Sequence, residues 1–137
     1  MDYIAYARTS YFKVKDEELL NKIADSYQAE VVHRDDRAAL LFNYGGIPGW
    51  NDPEQWEDHP LWTDEYDDTF FFRLLATTME DGEGAFLTEV GTEGMRYFTG
   101  IVVAITSKGN VEWRSLDDFV SELADQFSEF KFGPRDY

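Results

Sequence analysis

Carboxylates are the side chains of this sequence with the most capacity for chemistry, and they concentrate in one stretch. The chain has 28 Asp and Glu residues against 12 Lys and Arg, a formal net charge of −16. Residues 51–83 hold eleven of these acids and one base, Arg73. Paired carboxylates can serve a glycosidase, and their oxygens can bind a hard cation. With so many acids some pair occurs at every spacing, and the ordered ligands of a calcium loop are missing. The pattern therefore favours binding over catalysis.

Residues of other catalytic types are few. The chain contains no cysteine, which excludes disulfides, thiolate zinc sites and cysteine nucleophiles. Its two histidines, His33 and His59, stand beside no serine or cysteine motif. The segment Gly91–Gly94 is typical of a hairpin turn rather than a phosphate-binding loop. We therefore expect no enzyme activity, no metal site and no cofactor.

The charge indicates which partner the surface would accept. Negative charge repels phosphates, which disfavours direct binding of nucleic acid and contact with anionic membranes. A basic protein surface is the complementary partner. Duplex DNA carries one charge per ~1.7 Å of axis and a helix rises ~1.5 Å per residue, so carboxylates on a helix and a loop can imitate nucleic acid. The residues assigned to this surface are Asp52, Glu54, Glu57, Asp58, Asp64, Glu65, Asp67 and Asp68.

Two other interpretations of the acids stay open. The acids of residues 64–68 could face water and stabilise the positive end of a following helix. The acidity could also be merely solubilising, or a proteome-wide adaptation, for example to high salt, which would acidify every surface. The residues outside 51–83 carry seventeen acids and eleven bases, a net charge of −6, so the charge is concentrated rather than spread.

Residues 45–62 form a second candidate site. Gly and Pro interrupt any regular element there, and Trp50, Trp56 and Trp62 are interleaved with acids. Indole rings can stack on a sugar or a base, and tryptophan is frequent at protein interfaces. The rings could instead fold inward and cover the sheet, which we expect for two of the three. A small-molecule or carbohydrate binder is thus the alternative function.

Hydrophobic periodicity predicts one α+β domain over residues 1–132, with 133–137 as a frayed tail. The predicted order is β-α-β-β-loop-α-β-β-β-α, in a single mixed or largely antiparallel sheet with two to three helices packed on it. The predicted strands are residues 3–14, 31–33, 38–42, 85–90, 95–107 and 111–114. The predicted helices follow Asp16, span Asp64–Glu80 and follow Ser115.

Two elements carry explicit predictions about their faces. The first strand is assigned one face that holds Ile4, Tyr6, Phe12 and Val14. The last helix is assigned a capping box from Ser115 and Asp118. It also has an apolar stripe, typical of a helix packed on a sheet, formed by Leu116, Phe119, Val120, Leu123, Ala124 and Phe127.

The N-terminal residues lack the basic and apolar segments of a signal peptide. The longest apolar run is Ile101–Ile105, far shorter than a membrane span. We therefore expect a cytoplasmic protein that contacts no membrane.

Three stretches also carry a resemblance to known proteins. They are YARTSYFKVKD at residues 6–16, GGIPG at 45–49 and EVGTEGMRY at 89–97. Together they resemble a loosely defined group of small acidic proteins of phages, plasmids and prophages, mostly without an assigned function. The resemblance implies a mobile-element protein that counters a host defence by binding, and it transfers no functional residue. The leading hypothesis is a non-enzymatic acidic protein that binds a basic, nucleic-acid-binding protein surface as a DNA mimic or anti-defence inhibitor.

Overall fold

The structure is a computed structural model that describes residues 3–42, 46, 53–63, 65, 67–94 and 97–133. Within these residues seven strands form one antiparallel sheet, accompanied by three α-helices. The strands are β1 (Tyr3–Thr9), β2 (Phe12–Lys13), β3 (Ala29–Arg34), β4 (Arg37–Phe42), β5 (Gly84–Glu93), β6 (Tyr97–Thr106) and β7 (Val111–Ser115). The helices are α1 (Glu17–Ser26), α2 (Phe70–Ala76) and α3 (Leu116–Gln126), with a short 3₁₀ turn at Glu54–Trp56. The predicted α+β class with one largely antiparallel sheet is confirmed.

Strand pairing follows the chain closely. β3 and β4 form a hairpin, as do β5 and β6, and β7 continues from β6. β1 lies between the two hairpins, where it pairs with β4 and along its whole length with β5. The first strand is thus the element that joins the two halves of the sheet.

The predicted first strand is interrupted by a bulge. Arg8 pairs with Leu41 and Phe12 pairs with Ala38. The stretch between Arg8 and Phe12 therefore has three residues where β4 has two, which defines a β-bulge. The bulge divides the predicted strand into β1 and β2.

This bulge changes which face of the sheet the side chains occupy. One extra residue moves the following side chains to the opposite face. Ile4 and Tyr6 are 53% and 67% exposed, whereas Phe12 is fully buried. The prediction that these residues share one face with Val14 was therefore wrong, because it assumed an unbroken alternation.

The predicted first helix is confirmed in α1. The carboxylate of Asp16 accepts the Leu19 backbone N–H at 3.0 Å and caps the helix. Leu20, Ile23 and Ala24 are buried. This side of α1 packs on the sheet, and its acids face solvent.

The second helix is much shorter than the predicted Asp64–Glu80. The carboxylate of Asp67 accepts both the N–H and the hydroxyl of Thr69, at 2.9 and 2.7 Å, so the chain turns before the helix begins at Phe70. The hydroxyls of Thr77 and Thr78 donate back to helix carbonyls at its other end. Local side-chain hydrogen bonds thus compete with the helix at both ends.

α2 lies inside the core. Six of its seven residues are buried, and Arg73 is the exception. The edge of the Phe71 ring contacts Tyr27 and Phe42, with centroids 4.8 and 5.7 Å apart. α1 and α2 therefore pack on one face of the sheet, which we call the helical face, against the buried side chains Ala7, Phe12, Leu40, Leu87, Val103 and Ile105.

α3 begins as predicted but does not pack as predicted. Ser115 and Asp118 form the capping box, with each backbone N–H bonded to the other side chain at 2.8 and 3.2 Å. None of the helix residues is buried, however. The expectation that its apolar stripe packs closely on the sheet was wrong, since Phe119 and Leu123 are about half exposed.

Gly46 lies close to two side chains of the sheet. Its φ of +85° lies in the left-handed region, and a Cβ there would overlap the Glu89 carboxylate and lie 3.2 Å from the Cβ of Ala5. Gly109 has a similar φ of +88° with nothing within 4 Å of its Cβ direction. Comparing an alanine substitution at each glycine therefore separates the energetic cost of backbone strain from the cost of steric crowding.

We expect Gly46→Ala to destabilise the protein more than Gly109→Ala. Gly109→Ala, the control, should lose only about 1–2 kcal/mol of stability, which is the cost of a left-handed backbone conformation for a residue with a Cβ. Gly46→Ala should lose up to about 1 kcal/mol more, because the Glu89 carboxylate must swing away and the Cβ of Ala5 lies close. Urea unfolding of both variants measures the difference, and equal losses would contradict the close approach.

Candidate functional site

The segment 53–63 is attached to the helical face by its aromatic rings. Trp56 is 1% exposed, and its indole Nε1 has no hydrogen-bond partner among the described residues. Its ring lies 5.8 Å from His59, and the ammonium of Lys22 lies 4.7 Å from the ring centroid. The half-buried Trp62 meets the edge of Phe70 at 5.3 Å. These rings serve packing, and Trp56 has almost no surface that a partner could contact.

His59 belongs to this aromatic cluster. Its Nδ1 accepts the Leu61 backbone N–H at 3.1 Å, and its ring lies 6.5 Å from Phe70. Burial, together with the nearby charge of Lys22, lowers the pKa of His59. A neutral imidazole that accepts from the backbone fixes the turn, which is a structural role.

Because the rings of this segment point inward, its acids point outward. Glu54, Glu57 and Asp58 are all exposed. The side-chain amide of Gln55 donates to the Ser26 hydroxyl, which holds the segment against the end of α1. The loop acids therefore lie beside α1.

α1 extends the same surface with exposed acids of its own. Glu17, Glu18 and Asp25 are exposed. Together α1 and residues 53–63 contain six acids and one base, Lys22, which stacks on Trp56. We call these six acids and Lys22 the acidic face. Sequence reasoning did not assign the acids of α1 to this surface.

Asp67 is not part of an open acidic surface. It is partly buried and forms an ion pair with Arg73, in addition to its bonds with Thr69. Burial raises the pKa of Asp67, but the hydrogen bonds and the guanidinium together hold it below its usual value. Glu65 and Asp68, by contrast, are exposed.

The acids of residues 80–83 face basic residues that the fold brings to them. Glu83 pairs with Arg37 at 2.7 Å and accepts the Lys13 backbone N–H at 2.8 Å. Asp81 lies 3.9 Å from Lys15. The fold therefore divides the predicted acid stretch: Glu83 is paired with a base, Asp81 lies near one, and Glu80 is exposed.

Three of the predicted site residues, Trp50, Asp52 and Asp64, lie outside the described residues. Of the others, the fold places Glu54, Glu57 and Asp58 on one exposed surface. It places Trp56 in the core.

The opposite face of the sheet has an apolar surface that sequence reasoning missed. We call this surface the open face; it includes Ile4, Tyr6, Phe86, Val90 and Phe98, all exposed. The signal was available, because β5 and β6 carry large apolar side chains in both phases of their alternation. Such strands have two faces that can be buried.

The described residues contain no group of three or more His, Asp or Glu side chains arranged for a metal ion. In the same part of the chain, every helix is too short or too polar to cross a membrane. Comparisons with family models, with curated proteins and with solved structures gave no match for the chain.

We expect Glu83→Gln to lower the free energy of unfolding by about 1 kcal/mol at neutral pH, since Glu83 bonds to both a backbone N–H and a guanidinium. These partners lower the pKa of Glu83 in the folded state, the Lys13 N–H being the largest cause. Its contribution is therefore present above the unfolded pKa and is lost as pH falls through the folded pKa.

The gap between Glu83→Gln and the unsubstituted protein should accordingly close on acidification from about pH 6 to about pH 3. Glu80→Gln is the matched control, because the exposed Glu80 lies in the same turn. Chemical denaturation across this pH range measures the effect. A gap that stays constant with pH would show that the ion pair contributes nothing.

Proposed function

We propose that this protein is a non-enzymatic interaction protein whose acidic face binds a basic surface on another protein. The observation that carries the proposal is the exposure of six carboxylates on α1 and residues 54–58, with one base among them. A negative field of this kind, offset in part by Lys22 and by the contact of Glu17 with the His33 imidazole, attracts a basic partner at long range and speeds association.

The packing beneath the acidic face supports a binding role. Trp56, His59 and Phe70 hold the 53–63 segment on the core through edge-to-face ring contacts. The carboxylates are thus presented from a supported backbone, which lowers the entropy lost on binding.

More specifically, we propose that the carboxylates of the acidic face imitate the phosphates of a nucleic acid. A partner that grips phosphates with Lys and Arg would grip carboxylates presented at similar spacing. The resemblance to small acidic mobile-element proteins supports this form and suggests that the partner belongs to a host defence. Carbohydrate or small-molecule binding by the tryptophans has less support, because Trp56 is buried.

A variant with four charges removed tests the acidic face. We expect Glu54→Gln, Glu57→Gln, Asp58→Asn and Asp25→Asn together to weaken binding at least about tenfold. The matched control removes four acids from strands and turns elsewhere, Glu30→Gln, Asp35→Asn, Glu80→Gln and Glu112→Gln. It has the same net charge and should retain affinity.

The measurement begins with proteins that the immobilised chain retains and that duplex DNA displaces. Each is purified, and its Kd is measured against the chain and both variants in rising salt. Affinity should fall steeply with salt, because exposed charges are screened. Salt-independent affinity, or equal weakening by both variants, would contradict the proposal.

A further inference from the structure

The open face of the sheet has a group of exposed apolar side chains opposite the helical face. In the strand register Tyr6 lies opposite Val90, and Val90 lies opposite Gly100. Residues two and four positions along each strand point the same way. Ile4, Phe86 and Phe98 therefore belong to the same surface.

α3 begins on this open face. A Cβ built on Gly100 would lie 3.6 Å from the Cβ of Leu116. Leu116 and Phe119 line a shallow hollow together with Val90 and Val102. The apolar stripe of the helix is thus continuous with the apolar surface of the sheet.

The exposed apolar area is large enough for a stable interface. Nine side chains of the open face and α3 are 38–67% exposed: Ile4, Tyr6, Phe86, Val90, Phe98, Leu116, Phe119, Leu123 and Phe127. The five aromatic ones are about half exposed, and at about 200 Å² each they present ~500 Å². The four aliphatic ones bring the total towards the ~800 Å² that each partner contributes to a standard interface. A monomer seldom leaves so much apolar surface uncovered.

The chain carries both a groove and a ridge that fits it. A groove of about 660 Å³ runs over β4, β1 and β5, lined by residues that include Tyr6, Phe86 and Val90. α3 contacts the neighbouring strands β6 and β7 near its start, so this helix leaves the groove of its own chain open. The α3 helix of a second copy of the chain would supply an apolar ridge that fills this groove.

Charge complementarity favours that occupant. Among the described residues that line the groove, Arg8 is the charged one, and its guanidinium shares the Tyr11 ring with that of Arg34. α3 carries no base and four acids, Asp117, Asp118, Glu122 and Asp125. An acidic helix with an apolar stripe thus matches an apolar groove with a basic rim.

We propose that the open face is the interface of a twofold homodimer in which α3 of each copy lies in the groove of the other. A twofold interface needs one surface that is complementary to itself, and a ridge beside a groove meets this requirement. The acidic face lies on the other side of the sheet, so the dimer leaves it exposed on both copies.

Substitution at Leu123 tests the ridge. Loss of one buried leucine costs an interface about tenfold in affinity, and a twofold dimer loses two, so Leu123→Glu should raise the dimer Kd about a hundredfold. Ser121→Glu is the control, since it adds the same charge off the stripe of the same helix. Sedimentation equilibrium over a range of protein concentrations gives the dimer Kd of each variant. Phe86→Glu tests the groove in the same way, and circular dichroism checks that each variant is folded.

Cross-linking tests the geometry, because the chain has no native cysteine. Chains with Leu123→Cys and chains with Phe86→Cys, distinguished by a mass tag, are mixed and oxidised. The disulfide between Leu123→Cys and Phe86→Cys chains should form much faster than the disulfide between Ser121→Cys and Phe86→Cys chains. A chain carrying both substitutions should link to its neighbour rather than to itself.

Two results on association would overturn the dimer. One is a chain that remains monomeric up to about millimolar concentration; the other is equal dimerisation by the Leu123→Glu and Ser121→Glu variants. A predominantly intrachain disulfide would mean that the chain's own helix covers the groove, which also excludes it. The variant with four acids removed from the acidic face should dimerise normally, so failure of the dimer and failure of the proposed function are distinguishable.

Discussion

The burial of α2 on one face of the antiparallel sheet is the interaction on which the rest of the structure depends. Apart from Arg73, every residue of this helix is buried. A short helix that is apolar on nearly all sides must be enclosed, since its stability comes from packing. Phe71 contacts Tyr27 and Phe42, and Phe70 contacts Trp62. The positions of α1, β4 and the 53–63 segment thus follow from enclosing α2.

The burial of α2 also determines which acidic side chains face solvent and which face basic residues. Once Trp56 and Trp62 turn towards the core, the acids between and beside them have only solvent to face. The acids that follow α2 meet β2 and β4 instead, where Arg37 and Lys13 compensate Glu83. A chain of net charge −16 repels itself, and the fold relieves part of that repulsion at the 80–83 turn. The remaining acids include the acidic face and the four acids of α3, a helix that contains no base.

The sheet consequently has two faces of different chemistry. On the helical face, a packed core supports exposed carboxylates, suited to a partner attracted by charge. On the open face, Tyr6, Phe86 and Val90 are exposed and α3 is joined mainly at its start. Apolar area of this kind is suited to close packing rather than to long-range attraction. The two surfaces can therefore be occupied at the same time without competing.

Local patterns in the sequence were sufficient for the elements whose signals act over a few residues. The Asp16 cap, the capping box of Ser115 and Asp118, and both hairpins depend on neighbours in the chain, and the structure has each of them. The single antiparallel sheet also followed from the order of these elements. Helix ends were less predictable: the Asp67–Thr69 turn begins α2 six residues later than periodicity indicated.

What the sequence by itself determined is the class of fold, the caps and turns, and an excess of acid without catalytic motifs. Tertiary structure alone decided which side chains share a surface. The bulge before Phe12 reversed the face of the first strand, ion pairs across the sheet neutralised Glu83, and α3 kept its apolar stripe exposed. The physical reason is that burial and charge compensation depend on residues far apart in the chain, whereas periodicity and capping depend on near neighbours.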